Sequence, residues 1–178
     1  MKRILLLLLA VATLGFTASA QKKEGKTLVA YVSMTGVTAK AAKMVADVTG
    51  GELYEIAPEK AYTEADLDWR DEKSRSHVEM HNLQFRPALK SKKADIGKYD
   101  TIYLGFPIWW NLAPTLVNSF IEAHDLKGKT VIPFATSGGS KIVNSVRELK
   151  KAYPDINWKD GRLLNRANEE VIRDWVGK

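Results

Sequence analysis

Six consecutive residues, Ser33-Met34-Thr35-Gly36-Val37-Thr38, place three hydroxyls and one glycine between an apolar run and a helical pattern. A helix beginning there presents unpaired backbone N–H groups and a partial positive charge, and both favour an anion. With the added O–H donors, the segment suits a phosphate monoester. The same serines and threonines also serve as ordinary helix caps, and spacing alone leaves both uses open. Two better-known phosphate turns are excluded. There is no Gly-x-x-x-x-Gly-Lys-Ser/Thr run to hold a triphosphate, and no Gly-x-Gly-x-x-Gly turn for a dinucleotide.

Two further segments carry unusual chemistry. Pro107-Ile108-Trp109-Trp110-Asn111 sets two tryptophans side by side after a second apolar run. A flat aromatic ligand gives one indole a stacking partner while the other packs inward, although both indoles simply covering the core would also satisfy them. Thr136-Ser137-Gly138-Gly139-Ser140 allows close backbone approach to a ligand and offers N–H donors, but such residues also make plain turns. Together the three segments describe a site for a phosphorylated planar ring, held by Ser33, Thr35, Gly36, Val37 and Thr38 at its phosphate. Pro107, Ile108, Trp109 and Trp110 flank the ring, and Ser137, Gly138 and Gly139 face its polar edge.

Other reactive residues make a weaker pattern. His77 and His81 stand four apart and would align on a helix, but with His124 elsewhere they lack a convincing third metal ligand. Glu169 and Glu170 suit the first turn of a helix better than an acid–base pair. No serine–histidine–acid arrangement is legible. The chain has no cysteine, which excludes disulfides, thiolate metal sites and cysteine nucleophiles.

The elements that must position these segments alternate. Strands are expected over Thr27–Ser33, Glu52–Ala57, Asp100–Phe106, Lys129–Ala135 and, weakly, Arg162–Leu164. Helices are expected from Thr38 to a Gly50-Gly51 stop, from Pro114 through Ile121, over Lys141–Ala152 and over Asn168–Val176. Residues 58–99 are the least regular, with a Thr63/Asp66 capping pattern and a short helix over Ser74–Asn82. That stretch is long for one crossover, so part of it does more than connect. Alternation of this kind predicts an α/β fold, a doubly wound five-stranded parallel sheet with helices on both faces. Ligands of such sheets sit beyond the carboxyl ends of the strands, where all three unusual segments fall.

At 178 residues, with 45% apolar and 27% charged residues, the chain suits one folded domain over residues 27–177. Residues 1–20 read separately. Lys2 and Arg3, an apolar run from Ile4 to Phe16 and the small residues Ala18-Ser19-Ala20 have the layout of a secretory signal peptide. The run is short for a ~30 Å hydrocarbon layer, so export to the periplasm or beyond the cell, without a stable membrane anchor, is the expectation. Cleavage would remove Lys2 and Arg3 and no acid, taking the net charge from +6 to +4. The remaining lysines are scattered and not interleaved with aromatics, which argues against nucleic acid as a partner.

On the motif Ser33-x-Thr35-Gly36-x-Thr38, the Gly105-Phe-Pro-Ile-Trp-Trp110 loop, and the Trp69-Arg70, Ser74-Arg75-Ser76 and Arg86-Pro87 segments, the chain resembles the flavodoxin family over most of residues 27–177. The resemblance implies bound FMN, strand order 2-1-3-4-5, and electron exchange with a redox protein or a small-molecule donor or acceptor. Flavodoxins are among the folds from which the rule on ligand placement was drawn, so that rule adds no independent support. Two departures favour a reductase over a one-electron shuttle. The chain is basic where the shuttles are acidic, and the fourth-strand loop carries Ser137-Gly138-Gly139-Ser140 in place of an aromatic. The first alternative is therefore an FMN-dependent NAD(P)H or quinone oxidoreductase, with a less reducing couple than that of acidic flavodoxins; a non-redox protein that holds another phosphorylated ligand in the same loops ranks behind both.

Overall fold

Central strands of a parallel sheet are buried on both faces, so they must be apolar without interruption. Two segments meet that demand. Leu28, Val29 and Ala30 lie in β1 (Lys26–Tyr31), and Ile102 to Phe106 lie in β3 (Tyr99–Pro107), all of them buried. In the computed structural model, which describes residues 25–92 and 94–177, these strands pair side by side. β2 (Glu52–Glu55) lies outside β1 and β4 (Thr130–Thr136) outside β3. Every pairing is parallel, and the order is β2-β1-β3-β4 followed by the fifth position. Residues 1–20, read above as an export signal, lie outside the described residues.

The fifth position departs from the sequence reading. Two short strands occupy it, β5 (Asn157–Trp158) against Thr130–Val131 and β6 (Arg162–Leu163) against Phe134–Ala135. The cause is in β4. Val131 and Ala135 accept bonds from Lys159 and Leu164 on that side of the strand. Pro133 falls between them on the same side and has no N–H to donate, so the ladder breaks there. α4 (Ile142–Ala152) closes in on the break: a Cβ on Gly161 would lie 2.8 Å from Ile142 Cδ1.

Two helices cover each face. α1 (Val37–Thr49) begins one residue earlier than the pattern suggested and ends at Gly50 in the left-handed region. With α5 (Glu169–Val176) it buries Val45 and Ile172 on one face, together with Phe134 and Leu164. α3 (Thr115–Ala123) and α4 (Ile142–Ala152) cover the other, where Leu116, Phe120, Val146 and Leu149 meet Ile102, Leu104 and Phe106. Gly105 answers a tight approach inside the sheet, because a Cβ there would stand 2.2 Å from Phe134 Cζ. None of the described helices is long and apolar enough to cross a membrane.

The irregular stretch after β2 is a closed excursion. Its neck is stitched by Glu59 N–H to the Ala88 carbonyl (2.7 Å) and Lys90 N–H to the Ala57 carbonyl (2.9 Å). Within it, Thr63 and Asp66 bond reciprocally around a 3-10 turn over Ala65–Leu67, a capping box on a shorter helix than usual. α2 (Arg75–His81) starts at Ser74, whose Oγ accepts the His77 N–H.

Candidate functional site

Strand order turns back between β1 and β3, and the loops after β1, β3 and β4 emerge together at that edge. They are knitted to one another. The Val32 N–H donates to the Gly105 carbonyl and the Ile108 N–H to the Thr136 carbonyl, each at 2.9 Å. Thr38 Oγ1 and Thr136 Oγ1 share a buried hydrogen bond of 2.7 Å. Between the loops lies an open cleft of about 500 Å³, lined by Thr35, Val37, Pro107, Ile108, Trp109, Thr136, Ser137, Gly138, Asn165 and Arg166. Seven of the twelve residues expected from the sequence are in that lining, and they come from all three loops.

The other five take different places. Ser33 Oγ accepts the Ala39 N–H at 3.1 Å and so caps α1 from a distance. Gly36 makes the turn, with φ +83°, where a side chain would be strained although nothing crowds it. Thr38 is buried and bonded to Thr136. Gly139 donates its N–H to Ser137 Oγ, which also takes the Ser140 N–H, so Ser137 organises its own loop. The amides of Val37, Thr38 and Gly138 have no partner among the described residues. They are the donors the edge leaves open, two at a helix start and one across the cleft.

Trp110 turns away from the cleft. Trp109 and Leu112 exchange both backbone bonds, at 3.0 and 2.8 Å, around Trp110 (φ +46°) and Asn111 (φ +63°). Positive φ at both central residues makes this a type I′ turn, a conformation that a bulky aromatic residue rarely adopts. α4 holds it in place: Asn144 Nδ2 and Ser145 Oγ donate to the Asn111 carbonyl at 3.1 and 3.0 Å. The Trp110 indole then meets the His77 and His81 rings edge-on, and those two rings stack 3.8 Å apart on α2. Among the described residues no group of three or more metal-ligating side chains forms there or elsewhere.

The excursion after β2 supports the tryptophan loop from the other side. Tyr62 packs edge-on to Trp109 at 5.6 Å and donates to Glu79. The buried Glu79 carboxylate also takes Arg75 Nε at 2.6 Å, and the Arg75 guanidinium lies 4.0 Å over the Tyr62 ring. Burial, reinforced by the bond to Glu79, drives the Tyr62 phenol pKa far up, so it stays protonated and keeps donating. Sequence reasoning missed Asn165 and Arg166. The Asn165 side chain pairs with both backbone groups of Ser137, at 2.6 and 2.7 Å, and sets the height of the glycine loop. Arg166 brings an exposed guanidinium to the cleft with no ion-pair partner among the described residues. Neither residue belongs to a motif; the only cue was a polar pair just past the last strand.

The arrangement offers open N–H donors at one end, an apolar wall of Pro107, Ile108 and Trp109, and a polar edge with one positive charge. Comparison with known proteins agrees in outline. The flavodoxin family model matches residues 26–178. A suspected flavoprotein of Bacteroides uniformis ATCC 8492 is 60% identical with a TM-score of 0.85, covering 88% of this chain and 100% of that one. Another, from Bacteroides eggerthii DSM 20697, is 60% identical with a TM-score of 0.84, over 85% and 96% of the two chains. A Lactobacillus acidophilus NCFM flavoprotein solved in complex with FMN is 22% identical, with a TM-score of 0.67 over 85% and 99%, a likeness of fold. No curated protein matches.

Proposed function

The chain belongs to the flavodoxin family, and on that premise we propose that it is an exported FMN protein that passes electrons between a donor and an acceptor. FMN is the cofactor, and when bound it supplies one- or two-electron chemistry. The observation that carries the reading is the single cleft onto which the phosphate loop, the tryptophan loop and the glycine loop all open. Its size falls within the ~300–1,000 Å³ usual for small-molecule sites.

The residues divide the work. The Val37 and Thr38 amides and the Thr35 hydroxyl hold the phosphate, with Gly36 shaping the turn and Ser33 fixing the helix start. Pro107, Ile108 and Trp109 lie against the ring and keep water from that face. Trp110 anchors the turn to α2 through His77 and His81, and Tyr62 backs Trp109. The Gly138 amide, Ser137 and Asn165 meet the polar edge, with Gly139 completing the turn. Arg166 favours negative charge on the reduced cofactor.

A reductase that takes electrons from NAD(P)H or gives them to quinones is favoured over a pure carrier by one feature. The fourth-strand loop ends in exposed Gly138 and Gly139 with no ring to cover the cleft. Adding FMN to the purified protein and recording the visible spectrum tests the main reading. A shifted, resolved flavin band that titrates to one equivalent is expected; a spectrum identical to free FMN overturns it. Adding NADPH anaerobically then separates the two roles, because bleaching marks a reductase and a persistent band a carrier loaded by another protein. Signal cleavage after Ala20, read by mass spectrometry of the secreted or periplasmic protein, tests export.

A further inference from the structure

A separate cavity of about 310 Å³ lies in the groove between α3 and α4, beside Leu83 and Arg86 at the end of the excursion. It shares no lining residue with the cofactor cleft. The geometry points to a binding site here for a hydroxyaryl carboxylate: an apolar ring with a hydroxyl at one end and a carboxylate at the other. The inference uses none of the residues assigned to FMN and stands apart from that reading.

Three side-chain oxygens set the chemistry at one end. Thr115 is 2% exposed and lines the cavity, yet its Oγ1 has no hydrogen-bond partner among the described residues. A buried hydroxyl left unpaired is costly, and a polar atom of a ligand answers it. Asn118 Nδ2 donates to Tyr153 Oη at 3.0 Å, and Tyr153 gives its own proton to Glu122 at 2.7 Å. That chain of donors fixes the amide's orientation and leaves the Asn118 carbonyl oxygen free to accept. Ser145 spends its proton on the Asn111 carbonyl at 3.0 Å, so its Oγ can only accept further. Two acceptors and one uncommitted hydroxyl match a group that both donates and accepts. A ligand carbonyl or carboxylate would meet Asn118 and Ser145 lone pair to lone pair.

The other end carries the opposite demand. Lys151 follows Ser145 by six residues on α4, a span of roughly 9 Å at the α-helical rise. It has no ion-pair partner among the described residues. The other charges on the lining are committed, Arg86 to Glu122 at 2.8 Å and Glu148 to Arg147 at 3.1 Å. One free ammonium selects a monoanion. Between the two ends the lining is apolar, with Leu112, Ala113 and Leu149, and Leu83 adds a side chain that is 51% exposed. A rigid ring bridges such a gap with few rotors to freeze, which a flexible chain of the same length does not.

Isothermal titration of the purified protein, with FMN present at saturation, tests the site with 3-(4-hydroxyphenyl)propanoate. Saturable binding at one equivalent is expected. Removing the hydroxyl, as in 3-phenylpropanoate, should weaken it on the order of tenfold, and tyramine, with an ammonium in place of the carboxylate, should bind at least about fivefold more weakly. Lys151→Gln should cost about fivefold and Lys151→Arg should restore binding to within about twofold. Thr115→Val should weaken the hydroxylated compound while leaving 3-phenylpropanoate unchanged, a pattern that general damage to the fold would not give. No saturable binding, equal binding of the three compounds, or an unchanged affinity in the exposed Lys151→Gln variant overturns the proposal. Binding seen only when FMN is omitted also overturns it, because the compound would then occupy the cofactor cleft.

Discussion

At the scale of single residues, the last threonine of the phosphate motif does structural work that its position in the motif conceals. Thr38 and Thr136 bond to each other in a buried setting and tie the first loop to the end of β4. Thr38→Val should cost about 1–3 kcal/mol in chemical denaturation, because it leaves the Thr136 hydroxyl buried without its partner. Adding Thr136→Val should recover part of that loss, and a strictly additive double variant would contradict the coupling. The sequence identified the loop but could not show that one of its hydroxyls faces inward, since the partner lies 98 positions away. Arg166 was hidden for a related reason: an isolated arginine past a strand looks like any exposed cation. Replacing it with Gln should make the bound FMN more reducing by on the order of tens of millivolts, given the size of a charge interaction at a wet surface. A potentiometric titration that finds no change would place Arg166 away from the ring.

At the scale of elements, periodicity located α1, α3, α4 and α5 within a residue or two, because each has a clear apolar stripe and a definite start or stop. β5 was not legible. Two residues are too few to show alternation, and the cause of the break, Pro133, sits in the neighbouring strand. The type I′ turn at Trp110-Asn111 was equally hidden, since only Asn111 belongs to the residue types that turn prefers. Gly105→Ala tests the sheet packing. The new methyl meets the buried Phe134 ring between two covered faces, and a loss of about 1–3 kcal/mol in denaturation is expected. A neutral result would mean that β3 and β4 part more easily than their register implies. The end of the excursion is fastened by Arg86, which grips Glu122 on α3 while Tyr153 donates to the same carboxylate at 2.7 Å. The bond from Arg86 holds the Glu122 carboxyl below its ordinary range, so its contribution is full above the unfolded pKa of about 4.3 and fades as pH falls through the lowered value. The stability difference between wild type and Glu122→Gln should therefore be present at pH 6 and narrow by pH 3. A gap that stays constant across that range would mean the latch does not depend on charge.

At the scale of the whole molecule, the fold was readable because a parallel sheet imposes its own grammar: continuous apolar strands, helices between them, and unusual loops on one edge. What the sequence could not convey was the role of the excursion after β2, whose contacts with the tryptophan loop depend on tertiary placement alone. Its stitched neck, its Arg75–Glu79–Tyr62 brace and its His77–His81 stack make it a second wall around the same edge. The molecule thus divides into a sheet that presents three loops and an excursion that props the aromatic loop in a strained turn. The crystal structure of the protein with FMN tests that division most directly. The phosphate should lie at the Val37 and Thr38 amides with the ring against Pro107, Ile108 and Trp109, and Trp110 should remain turned toward His77 and His81. FMN found at any other surface, or stacked on Trp110 with Trp109 displaced, would contradict it.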